Sequence, residues 1–207
     1  MEIQEQEEQL LHRQLSSEEF KMCREKAISL VGEILREWNR KEQSLTGRMP
    51  LRAVEGRVKS PDSIVEKLKK KGYDLTLEGV EQLHDLSGIR AVCSYLDDVY
   101  RLRKYLLSYS GIHVLSQKDY IAIPKKSGYQ SLHMLLGSEC GVVELQIRTV
   151  AMDYWSSLEH PAIYKKGQNA DVQMGRELSR YAGFLRKVDG MLVAMRIEQE
   201  NHIPMGK

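Results

Sequence analysis

The chain has 207 residues, 42% of them hydrophobic and 29% charged, with 31 Lys plus Arg against 29 Asp plus Glu. That length suits one domain able to bury a core without disulfide or metal staples. A net charge of +2 excludes a polynucleotide binder that works through bulk charge alone. No apolar run approaches the ~18 residues of a membrane span. The N-terminal Glu2, Glu5, Glu7 and Glu8, ahead of Arg13, are the opposite of a secretory signal, so a cytoplasmic location without membrane contact is expected. Cys23, Cys93 and Cys140 lie far apart and form neither a metal-ligand spacing nor a disulfide framework.

Beyond the Glu/Gln-rich first nine residues, the spacing predicts a helix over 18–45. Phe20, Cys23, Ala27, Leu30, Val31, Ile34 and Trp38 recur there at helical intervals before Gly47 and Pro50. A second helix is predicted from an N-cap at Ser60, with Pro61 at its first position and Asp62 at the positive dipole end, to about Lys71 and a stop at Gly72. Residues 76–84 read as a shorter helix. Ile89–Tyr95 reads as a strand, 97–108 as a helix, and 112–121, 131–137 and 142–148 as strands. A further helix falls near 149–159. The mixture predicts an α/β (α+β) sheet with helical cover. In the last long element, 171–200, Met174, Leu178, Tyr181, Leu185, Val188, Leu192 and Met195 follow a heptad-like seam. The seam fits either an internal hairpin with the 18–45 helix or an oligomer interface.

Two basic clusters carry candidate chemistry. Arg57, Lys59, Lys67, Lys69, Lys70 and Lys71 stand against Asp62 and Glu66, a net of +4. The spacing by four of Lys59, Ser63 and Lys67 places them on one helical face beside a helix N-terminus, which suits phosphate, although a Lys-rich helix is ordinarily a solvated face. Arg101, Arg103, Lys104, Lys118, Lys125 and Lys126 stand against Asp119, a net of +5. Lysines beside Tyr129 on a Gly-containing loop could hold phosphates and stack a base, or form an ordinary surface loop. Strand alternation puts Glu144, Gln146 and Arg148 on one face, with Val143, Leu145 and Ile147 toward the core. Asp85 precedes the 89–95 strand, and a carboxylate pair above a sheet suits Mg²⁺ held jointly with substrate phosphates. His84-Asp85 does not make a metal hydrolase, because the six His of the chain form no matching ligand cluster.

In order along the chain come Arg57-Val-Lys59-Ser60, Asp85-Leu-Ser-Gly-Ile-Arg90, Lys118-Asp-Tyr-Ile, Pro124-Lys125, Gly128-Tyr-Gln-Ser-Leu-His133, Glu144-Leu-Gln-Ile-Arg-Thr149 and Glu159-His160 with Tyr164-Lys165. Over about 50–166 this series resembles the synthetase domain of the RelA/SpoT family, and the short chain resembles its stand-alone members, the small alarmone synthetases. The resemblance implies a nucleotidyltransferase-like mixed β-sheet flanked by helices. It divides the chain into an N-terminal helical region (1–49), a synthetase core (50–166) and a C-terminal helical extension (167–207), all in one compact unit. It implies (p)ppGpp synthesis in the stringent response: the β,γ-pyrophosphate of ATP moves to the 3′-hydroxyl of GDP or GTP, with GMP left open, and AMP is released.

By the same resemblance Asp85 is a Mg²⁺ ligand, and Glu144 sits at the attacking hydroxyl as base, metal contact or both. Arg57 and Arg90 sandwich adenine, and Lys59, Ser63 and Lys67 hold the ATP phosphates. Tyr129 stacks guanine, Lys118 and Lys125 contact acceptor phosphates, and Gln146, His133 and His160 position the acceptor. A homotetramer is implied, and the basic strips could touch RNA weakly. Two alternatives are a toxin-type relative that pyrophosphorylates tRNA or adenosine nucleotides, disfavoured by the intact Gly128-Tyr129 and Lys118-Asp119-Tyr120, and a non-catalytic nucleotide- or RNA-binding regulator, disfavoured by the presence of both Asp85 and Glu144.

Overall fold

The computed structural model describes residues 2–164 and 172–202, and the side chains of 5–159 and 173–201. Helix α1 (Glu2–Leu15) occupies the Glu/Gln-rich start, where the residue pattern predicts no element although the resemblance assigns 1–49 to a helical region. Its apolar Leu11 and Leu15 are buried with Ile64, Leu68, Val80 and Leu83, so a tertiary contact rather than local pattern fixes it. Helix α2 (Glu18–Thr46) matches the predicted element: the Ser17 side chain accepts from the Phe20 N–H at its start, and Gly47 turns left-handed at its end with φ 69°.

Strand β1 (Leu51–Val58) is a second element the sequence does not predict. Helix α3 (Pro61–Lys71) is capped by Ser60 and stopped by Gly72 at φ 67°, as its sequence signals require. Helix α4 (Leu77–Glu81) follows, capped by Thr76. Strand β2 (Ser87–Cys93) begins and ends two residues before the expected span. Then come α5 (Leu96–Ser108), β3 (His113–Asp119), β4 (Leu132–Ser138), β5 (Gly141–Thr149), α6 (Val150–Tyr164) and α7 (Val172–His202).

The strands form one mixed sheet in the order β1-β2-β5-β4-β3, parallel between β2 and β5 and antiparallel elsewhere. Helices α2 and α5 cover one face. There Ala27, Val31, Leu35 and Trp38 meet Ile89, Ala91, Met134, Val143, Leu145 and Ile147, all buried. Each full-sized side chain among them contributes about 1.5–3 kcal/mol by leaving water. Because α2 packs into this core, the N-terminal helical region shares it with the sheet. Alternation turns the intervening residues to the opposite face. Register then aligns Glu55, Arg90, Gln146, His133 and Lys118 in one row across all five strands.

Helix α7 departs from the hairpin reading of its seam. It packs mainly on α6 and α5 rather than forming a hairpin with α2. Its inward positions are Leu178, Ala182, Asp189 and Arg196, a stripe that shares Leu178 with the heptad seam and is otherwise offset from it. The offset has polar causes. Trp155 of α6 donates its indole N–H to Leu178 O at 2.8 Å, Thr149 donates to Asp189 at 2.8 Å, and Arg196 reaches Asp97 at 2.6 Å. Met174, Tyr181, Leu192 and Met195 of the seam are left exposed.

Candidate active site

Above the polar face lies a cleft of about 700 Å³. Among its lining residues are Arg57, Lys59, Asp85, Arg90, Tyr129, Glu144, Gln146 and Arg148. Asp85 sits in the connection just before β2. Its Oδ2 accepts from Lys59 Nζ at 2.7 Å and from Lys67 Nζ at 2.5 Å. Burial alone would push the Asp85 carboxyl up, but the two ammonium groups together outweigh it and hold the carboxyl below its usual range. Its Oδ1 is buried and has no hydrogen-bond partner.

Lys59 and Lys67 therefore meet, but not as neighbours on a helical face. Lys59 precedes the α3 N-cap, in the turn out of β1, and only Ser63 and Lys67 belong to the helix. The Ser63 hydroxyl accepts from Ser60 Oγ at 2.8 Å and is not among the cleft-lining residues. The cluster also divides: Lys69 turns to Glu8 of α1 at 2.5 Å.

Glu144 lies on the central strand β5, half-buried. Its pKa is lowered, first by the hydrogen-bonding contact from His133, against the opposing effect of burial, and further by Gln146. It belongs to a closed ring of polar contacts. Arg148 Nη2 donates to Tyr129 Oη at 2.9 Å and to Gln146 Oε1. Gln146 Nε2 donates to Glu144 Oε2 at 3.1 Å. The Tyr129 hydroxyl lies 2.8 Å from His133 Nε2, and His133 Nδ1 faces Glu144 Oε1 at 3.4 Å. Since Arg148 can only donate, the phenol proton points to Nε2, and the pattern assigns the histidine N–H to Nδ1, toward the carboxylate. Burial pushes the Tyr129 pKa up against the pull of Arg148, so the phenol keeps that proton.

Tyr129 is carried by the β3–β4 loop. Gly128 N–H donates to Lys125 O at 2.8 Å, closing a tight turn at φ 95°, and Lys125 Nζ stands 4.7 Å from the centroids of both Tyr120 and Tyr129. Across the sheet, Arg90 of β2 is held by Glu55 of β1 and by Asp153 at 3.3 Å. Arg57 lines the cleft at the end of β1.

The geometry thus assembles Arg57, Lys59, Lys67, Asp85, Arg90, Lys125, Tyr129, His133, Glu144 and Gln146. Lys118 shares the row but is exposed on β3, beyond the cleft lining. His160 falls within α6, but its side chain lies outside the described residues. In the second basic cluster Arg101 is paired with Glu42. Sequence reasoning placed Arg148 with Glu144 and Gln146 on the face that could line a site but assigned it no specific role, and it gave none to Glu55 or Asp153. The signals present were Arg148 on the polar face and Asp153 as an acid in the first turn of a helix leaving a strand.

Two carboxylates among lysines and arginines, with an aromatic loop on one flank, make a cleft for anionic, phosphate-bearing ligands. Residues 56–169 match the region found in RelA/SpoT proteins. The GTP pyrophosphokinase YwaC of Bacillus subtilis is 35% identical over 161 residues, covering 73% of this chain and 77% of that protein. The GTP pyrophosphokinase YjbM of the same organism is 33% identical over 157 residues, covering 72% and 74%. The crystal structure of the small alarmone synthetase 1 from Bacillus subtilis bound to its product pppGpp superposes with a TM-score of 0.77 at 30% identity, covering 87% of this chain and 96% of that one. The chain belongs to the RelA/SpoT family.

Proposed function

We propose that this chain is a (p)ppGpp synthetase, moving the β,γ-pyrophosphate of ATP onto the 3′-hydroxyl of GDP or GTP and releasing AMP. The observation that carries the reading is one cleft in which Asp85 and Glu144 stand between an arginine-lined flank and a tyrosine-bearing one. On the first flank, Arg57 and Arg90 offer planar guanidinium faces to adenine. Lys59 and Lys67 converge where the ATP phosphates would pass, and Ser63 stands nearby on the first turn of α3. On the second, Tyr129 supplies a ring for guanine, Lys118 and Lys125 serve the acceptor from the rim, and His160 is assigned to the acceptor by family resemblance alone.

The reaction forms a bond from the ribose O3′ to the β-phosphorus and breaks the bond from that phosphorus to the oxygen it shares with the α-phosphate. That oxygen leaves with AMP. Glu144, held ionised, accepts a hydrogen bond from the attacking hydroxyl and receives its proton as the new bond forms. A lowered pKa makes it a modest base, which suffices for a loose phosphoryl transition state that demands little nucleophile activation. Gln146 and His133 fix the carboxylate that does this. Lys59 and Lys67 neutralise phosphate charge at the transferred group.

The donor set also fits Mg²⁺. Asp85 Oδ1 is a buried oxygen with no partner, and Glu144 faces the same cleft. No cluster of three or more protein ligands exists among the described residues, but Mg²⁺ ordinarily takes one or two carboxylates and completes its shell with phosphates and water. Asp85 and Glu144 would hold it, and it would supply charge neutralisation along the polyphosphate.

The exposed Tyr181, Phe184, Met191 and Met195 of α7 support a homo-oligomer, a homotetramer by family resemblance, and a monomer in light scattering would overturn that part. No described helix is long and apolar enough to cross a membrane, which agrees with a cytoplasmic enzyme. The test of function is transfer from γ-labelled ATP, with Mg²⁺, to GDP, GTP or GMP in parallel. Label in a guanosine tetra- or pentaphosphate with matching AMP is expected. Label passing to tRNA and to no guanosine nucleotide would overturn the reading.

A further inference from the structure

Asp153 lies in the first turn of α6, the helix whose Ser156, Ser157 and Glu159 line the cleft, and neither flank contains it. Its Oδ1 stands 3.3 Å from Arg90 Nη1 and 3.5 Å from Arg148 Nη1. One carboxylate oxygen therefore serves two guanidiniums. The first belongs to the flank that takes the nucleotide donor. The second holds the Tyr129 hydroxyl and Gln146 on the other flank. Arg148 is itself buried, at 7% exposure, so its charge needs a partner inside the protein. Asp153 is its one ion-pair partner among the described residues.

The geometry of guanidinium gives this contact a use. All five N–H donors point outward in the plane of the group, and the two faces are left for stacking. Glu55 accepts from Arg90 Nη2 and Asp153 pairs with Nη1, so the two carboxylates tether both terminal nitrogens of the guanidinium and restrict its orientation. Asp153 also pairs with Arg148, whose edge in turn sets the Tyr129 hydroxyl. We infer that Asp153 is a positioning residue for both substrates at once: it orients Arg90 toward the ATP base and, through Arg148, orients Tyr129 toward the guanosine acceptor. The inference rests on the synthetase reading above. Glu55 touches only Arg90 of this pair and is the one-sided counterpart.

The test is steady-state kinetics of Asp153→Asn and Glu55→Gln beside wild type, varying ATP and GDP in turn, with thermal melts as a check on folding. Charge-assisted contacts of this kind are worth about one to two orders of magnitude in an equilibrium. Asp153→Asn is expected to raise both Michaelis constants about fivefold or more, with a smaller fall in kcat. Glu55→Gln should raise the ATP constant alone. Added to Asp153→Asn, it should cost less than it does by itself, because the two carboxylates share one guanidinium. A merely structural aspartate would lower Tm and the yield of active enzyme while leaving both Michaelis constants in place. That result, or a shift confined to one substrate, overturns the inference. Should Asp153→Asn not fold, Asp153→Glu keeps the charge but moves the oxygen outward by a methylene, and the same joint shift is required of it. Wild-type enzyme without transfer to GDP would be a failure of the synthetase reading instead.

Discussion

Gly128 is where the last helix closes on the Tyr129-bearing loop, and replacing it should disturb both. Its φ of 95° lies where L side chains are strained. A Cβ built there would come 2.6 Å from Ala182 Cβ, 3.2 Å from Ser179 Cα and 3.5 Å from Trp155 Cζ2. Left-handed strain costs roughly 1–2 kcal/mol. Overpacking costs roughly 1–3 kcal/mol more, because two of the three contacts are a methyl fixed to a helix and the helix backbone itself. Gly128→Ala is thus expected to lose about 3 kcal/mol, a fall in Tm of about 6–12 °C for a chain of this size. Tyr129 is the next residue, so the GDP Michaelis constant should rise more than that of ATP. Ala182→Gly added to Gly128→Ala should recover part of the loss, the share due to the methyl, and leave the strain and the Ser179 contact. The assays are calorimetric or circular-dichroism melts with kinetics on both substrates. A Gly128→Ala protein with wild-type Tm and acceptor constant would refute the claim that α7 is seated on this turn.

Glu144→Gln and Asp85→Asn should each abolish transfer in the labelled-ATP assay while leaving the circular-dichroism spectrum intact, since both carboxylates face the cleft rather than the core. Tyr129→Ala should weaken GDP binding chiefly, as read by calorimetric titration of each nucleotide; a change confined to ATP would misplace the loop. Asp189 is buried with the Thr149 hydroxyl as its hydrogen-bond donor, and burial pushes its carboxyl above the ordinary 3.8 despite that bond. Because the folded form holds the proton more tightly, ionisation of Asp189 lowers stability as pH rises from 3.8 through the raised value. Asp189→Asn keeps an acceptor for Thr149 and removes that charge. Its Tm should exceed wild type at pH 7, and the two curves should converge on acidification; a lower Tm at pH 7 would refute the sign.

What the sequence displays well is whatever is settled within a few residues. Helix α3 is legible to the residue because Ser60, Pro61 and Gly72 act on neighbouring backbone groups. The polar face of β5 is legible because period two is enforced by the burial of Val143, Leu145 and Ile147 on its other side. Strand β1 hides because it is an edge strand: Glu55, Gly56 and Arg57 are exposed and no apolar alternation results. Its Gly56 is needed for a reason invisible locally, since a Cβ there would lie 2.3 Å from Ile28 Cγ2 of α2. Helix α1 hides because only tertiary contact with α3 gives Leu11 and Leu15 somewhere to go. Spacing by four suggests a single helical face for Lys59 and Lys67, whereas the two meet because a strand end and a helix converge on Asp85.

The strand order explains why the site as a whole could not be read from its motifs in sequence. The chain lays down one flank first, with Arg57 on β1 and Arg90 on β2, and then the other, with Tyr129 and His133 around β4. Strand β5 comes last and inserts between β2 and β4. Glu144 therefore sits in the middle of the cleft, its strand bonded to β2 on one side and β4 on the other. Residues far apart in number become cross-strand neighbours: Gln146 meets both Arg90 and His133 in register. Helix α6 leaves β5 at once, with Thr149 Oγ1 accepting from Met152 N–H at 3.1 Å, so Asp153 is delivered beside the two arginines by the strand that delivers Glu144. Glu144, proposed to act at the attacking hydroxyl, and Asp153, proposed to orient both flanks, are thus set by one continuous segment. Its place between β2 and β4 joins two separate sets of contacts into one site.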